Sequence, residues 1–307
     1  MTALLYARDK NEVPEVSKDD TIPLRRRPSE FNRRAKIKHL IPIMSGKGGV
    51  GKSLTTSLLA VALRRKNYRV GILDADVTGP SIPRFFGLTG RLALEPDPNA
   101  PPPPPGQQPK GLMVPAMTRT AIQVVSSNLL TDKEDTAMIW RGPILSGVIR
   151  QFYEQVMWTD LDYLLIDLPP GTSDAPLTVL QSLRVDGVVL VTMPQRLATM
   201  IVRKAANLVH QLKKPIIGVI ENMSYFQAPD TGTRYEIFGP SYADQVAELA
   251  GAPVLARLPI DPGVVEYADH GRIEDLEGPL YDAMAEHLLE ALENAPASKE
   301  TEIVSLI

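Results

Sequence analysis

The chain contains no cysteine. That absence removes disulfides, thiolate metal sites, cysteine nucleophiles and CxxC redox chemistry, and it leaves the redox compartment unreadable from composition. No apolar run reaches the roughly 18 residues that a membrane-spanning helix needs. The arginine-rich stretch LRRRPSEFNRRAKIK at 24–38 is not followed by the apolar core of a signal peptide, so cytoplasm is the expected compartment and no membrane partner is expected. Neither sign of charge dominates. The 33 Lys and Arg against 36 Asp and Glu leave a formal net charge of −3, which argues against non-specific nucleic-acid binding by the chain as a whole. What remains is an ordinary globular composition, 44% hydrophobic over 307 residues, enough to bury a core without crosslinks.

Apolar runs alternate with helical spacing from residue 38 onward. HLIPIM (39–44), YRVGILDAD (68–76), DYLLIDLPP (162–170), DGVVLVTMP (186–194), KPIIGVIENM (214–223) and APVLARLPID (252–261) read as strands. Their Val, Ile and Leu content fits strands buried on both faces, although Pro42 cannot donate to a ladder. SLTTSLLAVALRRKN (53–67), PILSGVIRQFYEQVMW (143–158), QRLATMIVRKAANLVHQLK (195–213) and SYADQVAELAG (241–251) have helical periodicity. The alternation predicts an α/β domain over 38–294, a mostly parallel sheet flanked by helices. Residues 1–37 read as an extended or disordered arm and 295–307 as a tail. The arm's arginines could meet an acidic partner or nucleic acid, or simply be solvated. The five consecutive prolines within 95–111 favour polyproline II and mark a stiff surface insertion, either a docking strip or a plain loop.

Chemistry concentrates in SGKGGVGKS, Ser45 to Ser53. Gly46, Gly51, Lys52 and Ser53 satisfy G-x-x-x-x-G-K-[ST], the phosphate-cradling loop between a strand and a helix. Glycines let backbone N–H groups approach phosphate oxygens, Lys52 would neutralise the β- and γ-phosphates, and the Ser53 hydroxyl would ligate Mg²⁺. Hydrolysis also needs carboxylates at neighbouring strand ends. Asp167 closes one apolar run, where the acid that holds Mg²⁺ through water is expected. Asp74 and Asp76 close another; either could orient a water, or one could cap the turn that follows.

KGGVGKS matches the deviant Walker A pattern K-G-G-x-x-G-K-[ST], with an additional lysine, Lys47, and with Gly48, Gly49 and Val50 completing the loop. Together with LDADVTGPSIPRFFG, IWRGP, DYLLIDLPPGTSD and GVIENMSYF…YEIFG, in that order, the chain resembles the Mrp/ApbC family of P-loop ATPases over about residues 37–290. This family lies within the MinD/ParA/nitrogenase iron-protein class. The resemblance implies an ATP- and Mg²⁺-dependent homodimer in which Lys47 reaches the phosphates bound by the other subunit. It implies that Asp76 positions the attacking water, that Asp74 and Asp167 serve Mg²⁺, and that Asn222 bonds the adenine. The segment 258–261, ending in Asp261, would line the base pocket. Its family role is in iron–sulfur cluster assembly, with an unknown client protein.

The resemblance breaks at the cluster. The family typically places C-x-x-C just after NMSYF, where this chain has Ala228 and Thr231. Cluster ligation needs thiolates, or imidazoles in special cases. The four histidines, His39, His210, His270 and His287, are scattered, so a cysteine-ligated cluster is not expected. Arg196 and Ile201 stand where the family usually has acids, and Leu54 stands where it usually has threonine. The alternative function is a MinD/ParA-like positioning or partitioning switch. The acidic C-terminal segment from Tyr281 disfavours the anionic-lipid anchoring such proteins use.

Overall fold

A computed structural model describes residues 36–77, 79–96, 111–130, 152–172 and 174–295, with residues 22–23 and 149. Apart from Ile22–Pro23, which pair in parallel with Leu88–Thr89, and Lys36 and Ile37, the expected arm lies outside the described residues, as do the tail beyond Ala295, most of the polyproline insertion and the IWRGP segment. A nine-stranded sheet forms the centre. Its strands are β1 (Ile37–Ser45), β2 (Val70–Asp74), β3 (Ala116–Met117), β4 (Gln123–Ser126), β5 (Leu161–Asp167), β6 (Val188–Thr192), β7 (Ile216–Gln227), β8 (Arg234–Tyr235) and β9 (Val254–Ile260). The spatial order is β8-β7-β6-β1-β5-β2-β4-β3, and β9 pairs with β7. All pairings are parallel except those of β3 with β4 and β8 with β7, both made by short hairpin strands. The fold is therefore the expected mostly parallel, helix-flanked sheet.

The sequence dictates this layering locally. Ile41, Ile43, Ile72, Leu73, Leu164, Leu165, Val189 and Leu190 are fully buried, as residues of strands covered on both faces must be. Pro42 lies one residue before the pairing with β6 begins at Ile43, where a missing N–H is tolerated. Helices α1 (Lys52–Arg65), α2 (Ile82–Phe85), α3 (Asp174–Ser182), α4 (Arg196–Gln211), α5 (Ala243–Ala250), α6 (Pro262–Asp269) and α7 (Pro279–Asn294) cover the faces. Among the described residues no helix is long and apolar enough to cross a membrane.

Three details differ from the sequence reading. The helix expected over 143–158 has stopped by Gln155, because the chain there turns extended: Val156 bridges Met113, and the Met157 N–H donates to the Met113 carbonyl. β7 runs to Gln227, past the expected end, because the hairpin with β8 extends its pairing. The ends of the polyproline insertion pair with each other, Leu94–Pro96 running antiparallel to Gly111–Met113, so the insertion leaves and rejoins the domain at one place.

Candidate functional site

The loop after β1 brings the expected phosphate-binding residues together at the carboxyl ends of the central strands, where open parallel sheets bind ligands. Gly49 and Gly51 both sit at φ 77°, a left-handed backbone that side-chain-bearing residues rarely adopt. Gly51 also has no room for a Cβ, which would stand 2.1 Å from Nδ2 of Asn222. At Gly46 a Cβ would meet backbone, 2.8 Å from the Ile201 carbonyl carbon and 2.9 Å from the Val202 nitrogen, so α4 packs directly on the start of the loop.

Behind the loop, buried polar groups converge on Asp167. Lys52 forms an ion pair with its Oδ1 at 2.7 Å, and both side chains are buried. Ser53 donates to Oδ2 at 2.6 Å and Thr56 donates to Oδ1 at 2.9 Å. Asp74 stands beside Asp167 in register on the adjacent strand. Its Oδ2 accepts from Ser126 at 3.0 Å and its Oδ1 from the Asp76 N–H at 3.2 Å. Complete burial, and then the charge of Asp167, push the Asp74 carboxyl up to about 8 against the pull of Lys52 and Ser126. Asp76 is half-buried and lines a cleft of ≈ 230 Å³ with Lys47, Gly48, Gly49, Val50, Gly51, Lys52 and Ser53.

A second cavity of ≈ 180 Å³ opens beyond Leu54, which lines both. Its walls are mostly apolar, among them Leu58, Met223, Val264 and Tyr281, with Asn222 and Asp261 as the polar members. Mostly apolar walls with a few polar groups are the usual composition of a small-molecule site. Asn222 is held at the cavity by donating from Nδ2 to the Val50 carbonyl at 3.0 Å. Asp261 caps α6 by accepting from the Gly263 N–H at 2.9 Å, so part of its hydrogen-bonding capacity serves the fold. Asn222 is followed by Met223 at φ 55°, and the β7–β9 register shifts between Glu221 and Tyr225. The buried Glu221 pins this irregular stretch, accepting from Ser224, Ser241 and the Tyr242 N–H.

Lys47 stands apart from Lys52. It is half-buried, and its Nζ donates to Oε1 of Gln195 in the same chain. Gln195, Thr56 and Ser126 are polar neighbours of the site that sequence reasoning passed over. Thr56 follows Lys52 by four residues on α1, a spacing that puts both on one helix face, but only the fold reveals that this face meets Asp167.

Ala228 and Thr231 lie in the turn that joins β7 to β8. The Ala228 N–H donates to the Thr233 carbonyl at 2.9 Å, and the Gly232 N–H to the Ala228 carbonyl at 2.8 Å. Thr231 and the residues through Phe238 are exposed, with Arg234 stacked on the Tyr225 ring at 4.4 Å. Among the described residues, no group of three or more His, Cys, Asp or Glu side chains is arranged to hold a metal ion. His39 stacks on Tyr163, while His210, His270 and His287 bond the carbonyls of Ala250, Glu266 and Leu255.

A family model described as ParA, NUBPL iron-transfer P-loop NTPase, matches residues 36–292. The chain belongs to this family. It is similar to the iron-sulfur cluster carrier protein of Clostridium perfringens, 42% identical over 258 residues that cover 82% of this chain and 87% of that protein. It is also similar to the cytosolic Fe-S cluster assembly factor CFD1 of Kluyveromyces lactis, 42% identical over 236 residues, 75% of this chain and 79% of that protein. Among solved structures, the nucleotide-binding protein of Archaeoglobus fulgidus in complex with ADP matches with a TM-score of 0.66 at 40% identity, covering 80% of this chain and 90% of that one. The cell division ATPase MinD of Pyrococcus furiosus shares the NTPase family's fold, with a TM-score of 0.57 at 20% identity over 83% of this chain and 99% of that one.

Proposed function

We propose that this NUBPL-type P-loop NTPase hydrolyses ATP with Mg²⁺ as a homodimer and acts in iron–sulfur cluster assembly or transfer, with a partner supplying the cluster's thiolates. The observation that carries the ATPase reading is the convergence of Lys52, Ser53 and Asp167 behind a glycine loop, with Asp74 in register alongside. The curated relatives named as cluster carriers and assembly factors support the cargo class. The absence of any cysteine is the reason for assigning the thiolates to a partner.

In this reading the triphosphate lies along the loop, with backbone N–H groups and the dipole of α1 facing its oxygens. Lys52 turns part of its charge from Asp167 to the β- and γ-phosphates. The donor set suits Mg²⁺, a hard cation usually bound by one or two carboxylates, substrate phosphates and water. Ser53, Asp167 and Asp74 supply hard oxygens within one buried cluster. When bound, Mg²⁺ neutralises charge on the phosphates. Asp76, at the edge of the cleft, orients the attacking water, and Lys47 of one subunit approaches the phosphates of the other, where it stabilises charge that develops in the transition state. Asn222 Oδ1 accepts from the adenine amino group in the apolar cavity.

The test combines ATP turnover with iron and acid-labile sulfide measured per dimer after anaerobic reconstitution. Mg²⁺-dependent hydrolysis, with iron and sulfide near zero on the chain alone, is the expected result. Stoichiometric, transferable cluster on the isolated chain would overturn the partner-thiolate assignment. Loss of turnover under every condition would overturn the ATPase. The competing reading, a MinD/ParA-like switch, would prevail if ATP made the protein sediment with liposomes or DNA; against the lipid arm, α7 exposes Glu286, Glu290 and Glu293.

A further inference from the structure

Gln195 occupies the N-cap position of α4, where a short oxygen-bearing side chain would ordinarily accept a hydrogen bond from the first helical turn. Its side chain makes no such bond. Oε1 accepts from Nζ of Lys47 instead. Loop and helix have no slack between them, because the backbone of Ile201 and Val202 already fills the space beside Gly46. The two lysines of the loop are thus held differently. Lys52 faces a buried carboxylate, with Ser53 and Thr56 on the same acid. Lys47 faces a neutral amide oxygen at the half-exposed edge of the cleft. An ammonium is bound less strongly by an amide than by a carboxylate, so Lys47 is the lysine built to be released.

We propose that Gln195 is the positioning residue for Lys47, holding its ammonium within its own subunit and setting how readily that charge passes to the phosphates of the partner subunit. The inference rests on the reading of Lys47 as a charge that acts across a homodimer. Gln195 touches neither the nucleotide nor the reacting atoms; it acts through Lys47 alone. Its strength as an acceptor sets the protein concentration at which ATP drives dimer formation.

Two substitutions at Gln195 should move that concentration in opposite directions. Sedimentation with ATP, and turnover as a function of protein concentration, would be measured for the unaltered chain, Gln195→Ala, Gln195→Glu and Lys47→Ala. Gln195→Ala is expected to lower the half-saturating concentration by about tenfold, the worth of one hydrogen bond to a charged group. Its turnover per dimer at saturation should stay within about twofold. Gln195→Glu, with a full negative charge facing Lys47, is expected to raise the half-saturating concentration. Damage to the fold would weaken both variants alike, so a shift of both in the same direction overturns the proposal. A per-dimer rate for Gln195→Ala as low as that of Lys47→Ala also overturns it, since Gln195 would then belong to the assembled site. If Lys47→Ala dimerises and turns over like the unaltered chain, the cross-subunit reading of Lys47 fails first. If Lys47→Ala fails while both Gln195 variants match the unaltered chain, only the role of Gln195 is lost.

Discussion

The phosphate end of the sheet and the hairpin that leaves β7 are built on opposite principles. Around Asp167 the polar groups are buried or half-buried and tied to residues distant in sequence, so the lysine, the serine and the threonine of α1 depend on one carboxylate of β5. At the hairpin the hydrogen bonds of the turn are local, from Ala228 to Thr233, and the side chains from Thr231 onward are exposed. A nucleotide site of the first kind cannot lose a member without a penalty to folding. An exposed, locally bonded hairpin of the second kind can exchange its side chains with little cost to the fold.

The comparison breaks most readily at Asp167. Replacing it with alanine removes the ion-pair partner of buried Lys52, leaving Asp74 as the nearby acid, and is expected to lower stability by about 3–5 kcal/mol, read by urea denaturation. In whatever fraction stays folded, ATP turnover should fall by about 100-fold or more, as for loss of a group that organises charge at the reacting phosphate. Gly46→Ala probes the same region through packing alone. The added methyl would press on the backbone of α4, which cannot rotate away, so a loss of about 1–3 kcal/mol is expected, with weakened nucleotide binding by calorimetry. The hairpin should behave otherwise. Thr231→Ala is expected to change stability by less than about 0.5 kcal/mol and to leave turnover unaltered. An equally small effect at Asp167 would erase the distinction between the two regions.

Much of the fold was legible because its strands are continuous β-branched and leucine runs between helical periods, a pattern that tertiary context rarely overrides. The loop was legible because its spacing is short and its chemistry depends on backbone geometry that only glycine supplies. Less was legible where a residue's role depends on what the fold carries to it. Thr56 and Ser126 sit in apolar surroundings that read as core, yet each donates to a carboxylate of the site. Gln195 reads as the first residue of a helical run until Lys47 is seen against it. Asp261 was expected at a base pocket and lines the apolar cavity, but its cap on α6 follows from Pro262 starting a helix that the apolar pattern did not announce. The helix expected to reach Trp158 stopped early because pairing with Met113 competes for the same residues.

The left-handed residue at Met223 has a mechanical meaning. It lies on β7 between Asn222, at the apolar cavity, and the residues that enter the hairpin, with Glu221 anchoring the strand on the inner side. Four residues separate Met223 from Gln227, a span of roughly 13 Å along a strand. β9 pairs with β7 on both sides of that position, at Glu221 and again at Tyr225 and Phe226, so the neighbouring strand bridges the kink. The residues beside the apolar cavity and those that enter the hairpin are thereby tied together through β9, across a methionine whose left-handed backbone a straight strand would not contain.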